Sequence, residues 1–168
     1  GDNAKLTSLA GLTLFNQLGG VIQSLMVFKD ETNVYQITGD SALNTLAINS
    51  LNLATGTRSP NSIATTPQGL AFISPEGMRI IDFYAKISDP VGFDGNAVTS
   101  PFSQTVVPSR INGSCNGSLY RVTTQNGAAS GTPTQEFWYD VTRQIWSGPH
   151  TSTASMIQPW RGTFIIAP

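Results

Sequence analysis

The chain has 168 residues, enough for one ordinary domain with a real core. Only 11% of it is charged, well under the roughly 25% common in soluble proteins; the formal net charge is −1, and the basic residues are scattered singly from Lys5 to Arg161. This excludes a basic stripe for tight DNA or RNA binding, the lone Cys115 excludes an internal disulfide or a Cys-based zinc cluster, and no run approaches the ~18 apolar residues of a membrane span.

Residues 1–20 carry Leu6, Leu9, Leu12, Leu14, Phe15 and Leu18. The spacing of Leu6, Leu9 and Leu12 permits a helical turn or two, but Gly11, Gly19, Gly20 and several hydroxyl residues interrupt it, so an extended entry segment is predicted. Gly1–Lys5 lacks the apolar stretch of a signal peptide, and a start without methionine points to a processed or excised chain. Residues 21–38 read as a hairpin: Ser24–Phe28, a polar turn Lys29–Thr32, then Asn33–Thr38, with one face expected wet and one buried.

Residues 41–61 have no strong rhythm and end in the loop signal Gly56–Asn61. Ser62–Thr66 reads as a short strand. A second hairpin follows, Gln68–Ile73 and Met78–Phe83, about a turn at Ser74-Pro75-Glu76-Gly77. Residues 84–117 read as a long extended loop insertion, dense in turn dipeptides from Asp89-Pro90 to Asn112-Gly113 and Asn116-Gly117, with only Gln104–Val107 suited to a strand. Ser118–Thr124 opens another three-strand run, interrupted by a Gly/Ser/Ala loop at 126–133. Gln135–Val141 and Gln144–Pro149 form a third hairpin about Thr142-Arg143. Ala154–Gln158 restarts the cycle, and Arg161–Ile166 opens a unit that stops midway.

The recurring order of strand, turn, strand, turn, strand and long connection predicts an all-β protein with negligible helix. Its meandering antiparallel sheets would be part of a β-propeller-like array, with a β-sandwich as the alternative. The whole chain, 1–168, then reads as a single β-rich domain or a fragment of a larger propeller, although its spacing is less regular than the roughly 40–50 residues of common propeller repeats. Alternation places Leu25, Val27, Leu70, Phe72, Ile80, Phe137 and Tyr139 in the core. Phe28, Ile73, Ile81 and Trp138 point the other way, so sheets buried on both faces are expected in places.

Several phrases carry a family resemblance: Val27-Phe28-Lys29 with Tyr35–Asp40, Ala54–Ile63, Gly69–Arg79, and Phe137–Asp140 with Trp146–His150. From Leu12 onward the chain resembles β-propeller tail proteins of tailed bacteriophages, in particular the tail hub or nozzle of short-tailed phages. The resemblance implies a virion component in a ring of identical subunits, expected to be a hexamer, contacting portal or adaptor proteins and a tail needle, tailspike or fibre. Genomic DNA would pass through without sequence-specific binding. It implies no catalytic residue, cofactor or metal, and a nozzle subunit would be considerably longer, which fits a fragment.

Propellers also host glycosidases, which need two carboxyl groups about 5–9.5 Å apart. Asp82, Asp89, Asp94, Glu136 and Asp140 are the candidates, and single polar residues on wet strand faces are the preferred explanation. Asp89–Asn96 offers oxygen ligands in a Gly-rich loop but lacks EF-hand spacing, so an Asx-turn is favoured. His150 is the only histidine and has no metal-binding partner of its kind. Asn112 and Asn116 match glycosylation acceptors and are read as turns instead. Trp138, Tyr139, Trp146 and Trp160 suit either a core or a glycan-binding surface, and core is preferred. A receptor- or glycan-binding β module is therefore the alternative function, and a glycosidase-like propeller the third. Lys86–Gly117 is expected to leave the sheets and reach a neighbour through Phe93 and Phe102, or else to fold back and cap its own sheet.

Overall fold

The computed structural model describes residues 5–16, 18–51, 54–57, 59–91, 110–125, 134–152, 154 and 156–167. Among them there is no α-helix; a 3-10 turn at Pro60–Ser62 accompanies thirteen strands. These are β1 (Leu6–Phe15), β2 (Val21–Lys29), β3 (Asn33–Thr38), β4 (Ala47–Ser50), β5 (Ala64–Thr66), β6 (Gly69–Ser74), β7 (Gly77–Ile81), β8 (Asn112–Asn116), β9 (Leu119–Gln125), β10 (Thr134–Asp140), β11 (Ile145–Ser152), β12 (Met156–Trp160) and β13 (Thr163–Ala167). They form four antiparallel meanders in which each strand pairs with its neighbour in sequence: β1–β4, β5–β7, β8–β11 and β12–β13. The all-β reading therefore holds.

The meanders stack face to face in chain order instead of forming the two facing sheets of a sandwich. The second sheet is the shared layer. On β6, Leu70 and Phe72 turn toward the first sheet, where Leu12, Leu14, Met26, Phe28 and Val34 meet them. Ala71 and Ile73 turn the other way and, with Met78 and Ile80 of β7, meet Ile111, Tyr120, Val122, Phe137 and Tyr139 in and beside the third sheet. All six residues of β6 are buried, as a period-two strand covered on both faces requires. Phe28 and Phe72 meet edge to face across the first junction, with centroids 5.1 Å apart. Fully burying such a ring contributes about 1.5–3 kcal/mol. The hairpin β12–β13 packs on the far face of the third sheet, where Ile157 is buried.

Expected core positions Leu70, Phe72, Ile80, Phe137 and Tyr139 are buried, and Ile73 and Ile81 confirm burial on the second face. Leu25 and Val27 are corrected: Leu25 is 37% exposed, Val27 is half-buried, and Met26 and Phe28 fill the core. Leu25–Phe28 is an uninterrupted apolar run, so alternation does not distinguish its faces. The cause lies in register: pairing of Leu12 with Ser24 and Leu14 with Ile22 puts the even-numbered residues of β2 on the core side.

The insertion expected at 84–117 is also narrower. Residues 86–91 run back along β7, Ser88 N–H donating to Ile80 O at 2.9 Å and Val91 N–H to Met78 O at 2.7 Å. Asn112–Asn116, expected as turns, is strand β8, paired in register with β9. Only Gly117-Ser118 remains a two-residue turn there, with Gly117 at φ 61° in the first central position, where glycine is favoured. Phe93, Asp94, Phe102 and Gln104–Val107 lie outside the described residues.

Candidate functional site

Two of the carboxylates weighed for catalysis, Asp82 and Asp140, are taken up by local structure, and Asp89 is exposed. Asp82 Oδ1 accepts the N–H groups of Tyr84 and Lys86 at 2.8 and 2.9 Å. Asp140 Oδ1 accepts those of Thr142 and Arg143, both at 3.0 Å. Asp82 directly follows β7 and Asp140 ends β10, and each caps the following turn, an Asx geometry that competes well with continued sheet. Asp94 lies outside the described residues, so no carboxylate pair can be drawn through it.

Glu136 is not on a wet face, contrary to expectation. It is 3% exposed, ion-paired with Arg121 and hydrogen-bonded by Trp138 Nε1–H. Register explains the meeting, since Trp138 pairs with Arg121 and Glu136 with Thr123, placing these side chains on the third sheet's outer face. The Arg121 guanidinium lies 5.1 Å from the Trp138 ring centroid and 4.8 Å from that of Phe164. It thus bridges the third and fourth sheets, satisfied by a carboxylate and by two aromatic faces. His150 stacks on Trp138 at 4.6 Å and shares a 3.1 Å hydrogen bond with exposed Ser147. Arg121 and Trp138 hold the same Glu136 oxygen, Oε1.

A second polar cluster, which sequence reasoning missed, ties the second and third sheets together. Tyr120 Oη–H donates to Ser62 O at 2.7 Å, and Ser59 Oγ–H donates to Ile111 O at 2.8 Å. Ser62 Oγ accepts Ile73 N–H at 3.1 Å and donates to Ser59 O at 2.7 Å, while Thr57 Oγ1–H reaches Ser59 O at 2.8 Å. All four hydroxyl side chains are buried. They satisfy the backbone of the irregular segment before β5, which otherwise would bury unpaired carbonyls. Burial, and then the nearby Cys115 charge, hold the Tyr120 phenol far above its ordinary range. Burial pushes the Cys115 thiol up to about 11, so at neutral pH it is a thiol and a poor nucleophile.

A cleft of about 840 Å³ opens where the second and third sheets part. Gln68, Phe83 and Lys86 line one side, Tyr139, Gln144 and Trp146 the other. Trp146 stacks on Tyr139 at 4.8 Å. The aromatic residues singled out in sequence are therefore dispersed: Trp138 belongs to the Arg121 cluster, Tyr139 and Trp146 to the cleft, and Trp160 to the fourth sheet, where Arg161 covers its ring at 5.5 Å. No group of three or more His, Cys, Asp or Glu side chains suited to a metal occurs among the described residues, and no described helix is long and apolar enough to cross a membrane.

Comparison of the chain with protein-family models, with curated proteins and with solved structures finds no match in any of the three.

Proposed function

We propose that this chain is a structural subunit of a bacteriophage tail, part of the hub or nozzle that forms the genome-delivery conduit, and that it works by assembly instead of catalysis. The observation that carries the reading is the stack of sequential meanders, in which the polar clusters serve as joints between sheets. Arg121 and Glu136 bind the third sheet to the fourth, and Tyr120 and Ser59 bind the second to the third. Consecutive meanders packed face to face are the construction of a β-propeller-like array, and the tail-protein resemblance of Val27–Asp40 and Gly69–Arg79 supplies the biological setting. In that setting the partners are identical subunits in a ring, portal or adaptor proteins, and a tail needle, tailspike or fibre, with DNA passing without sequence readout. The scarcity of charge suits large subunit interfaces, because each buried ion costs desolvation energy.

Deleting the coding sequence from the phage genome tests this. DNA-filled heads lacking the distal tail are the expected particles; complete, infectious virions without the protein would refute the reading.

The cleft supports a second reading, a glycan-binding β module. Trp146 offers a ring for sugar C–H groups, while Gln68 and Gln144 bring amides to the same concavity. Glycan-array binding abolished by Trp146→Ala would favour that reading.

A further inference from the structure

The cleft between the second and third sheets is built from parts that the backbone holds in place. Trp146 pairs with Tyr139 across β10 and β11, and their rings stack at 4.8 Å to form an aromatic wall. Beside it, the β10–β11 turn holds Gln144 at φ 58°, its N–H donating to Asp140 O at 2.7 Å. That left-handed conformation suits glycine or asparagine, and a longer side chain there costs stability. Gln144 lines the cleft all the same. A strained residue at the rim of a concavity points to a use for its side chain. On the facing side Gln68 Nε2–H donates to Val141 O at 2.7 Å, which fixes the amide plane and leaves Oε1 as an acceptor. Lys86 and Asp82 bring one positive and one negative charge to the same lining.

Resting on the glycan-binding reading of this cleft, we propose that its ligand is a neutral sugar chain and that Gln144 is the residue that reads the sugar's hydroxyls. The aromatic wall takes the apolar C–H face of a pyranose ring, and a planar amide, with its oxygen acceptor and two N–H donors, matches a pair of neighbouring hydroxyls. Charge narrows the class further. Asp82 offsets Lys86, so a uronic or sialic acid, a nucleotide or a free phosphate gains no electrostatic advantage here over a neutral sugar. A peptide adding itself as a strand on the second-sheet side would need a free edge, but residues 86–91 already run along β7, with Val91 N–H donating to Met78 O at 2.7 Å. The volume of about 840 Å³ falls within the roughly 300–1,000 Å³ of small-ligand clefts, so short oligosaccharides suffice as probes.

A glycan array displaying neutral hexose, deoxyhexose and N-acetylhexosamine oligomers beside uronic- and sialic-acid oligomers tests it, the best neutral oligomer then being titrated by calorimetry. Neutral oligomers should bind, and Gln144→Gly should weaken the titrated one about 10-fold, the loss of one or two hydrogen bonds. The same variant should raise the urea midpoint, because glycine relieves the left-handed strain. A raised midpoint requires a folded chain, so the lost affinity is then that of the amide. Arg143→Ala, on the same turn but with its side chain 78% exposed, should leave affinity unchanged. Preference for acidic oligomers, binding of peptides from a peptide array in place of any sugar, or a Gln144→Gly chain that binds as tightly as the unaltered one would overturn the proposal. The two readings fail differently: neutral-sugar binding lost in Trp146→Ala but untouched in Gln144→Gly leaves the glycan-binding reading standing, whereas no sugar bound at all removes it as well.

Discussion

Replacing Tyr120 by Phe removes one oxygen from an enclosed polar contact and leaves the ring in place. The hydroxyl lies 2.7 Å from the Ser62 carbonyl, and Tyr120 and Ser62 are both fully buried. No cavity larger than the oxygen opens, so the cost is that of a buried carbonyl deprived of its donor, about 1–3 kcal/mol. For a chain of this length that corresponds to a fall in Tm of roughly 2–12 °C. Urea unfolding followed by Trp fluorescence should show a lower midpoint with an unchanged slope. Gly113→Ala provides an independent check, because a Cβ there would collide with the Tyr120 hydroxyl and the Ser62 carbonyl; it should destabilise at least as much. A loss below about 0.5 kcal/mol for Tyr120→Phe, the range of ordinary surface changes, would refute the view that this hydroxyl joins the second and third sheets.

Glu136→Ala strands the Arg121 guanidinium between two rings without its carboxylate and should cost about 3–5 kcal/mol, whereas the double change Arg121→Met with Glu136→Leu should cost much less; chemical denaturation of both variants decides. Phe72→Ala empties the first junction and should destabilise by about 3–5 kcal/mol in the same assay. Cys115, its thiol pushed up to about 11 from an ordinary value of 9.0, should react with a disulfide reagent at pH 8 about 100-fold more slowly than a free thiol. Its folded-state value lies above its unfolded one, so its contribution to stability is complete below pH 9 and is lost as pH rises toward 11. Cys115→Ser should therefore flatten the alkaline fall of Tm.

Hairpins with their own turn chemistry were legible in the sequence. Ser74-Pro75-Glu76-Gly77 closes β6 on β7, and the turn marked by Gly117 closes β8 on β9, because local backbone preferences alone suffice there. Strand β4 was not legible: Ala47–Ser50 is exposed at all four positions and is defined only by pairing with β3. Strand β8 carried turn composition, and its Gly113 is explained by the close approach of Tyr120, a partner from the next strand. The Arg121–Glu136 joint was hidden for the same reason. Its members are 15 residues apart, and only the β9–β10 register and the fourth sheet beyond give them their surroundings. Two charged residues midway along strands otherwise rich in aromatics were the available signal. The hydroxyls of Thr57, Ser59 and Ser62 resembled any polar loop until long-range packing buried them.

The central claim, a tail subunit working by assembly, is tested most directly by electron cryomicroscopy of the intact virion. The account predicts density for the four stacked sheets in each of several identical subunits arranged as a ring or tube around the tail axis. Purified infectious particles with no such density, together with a protein recovered only as a soluble monomer outside them, would contradict it.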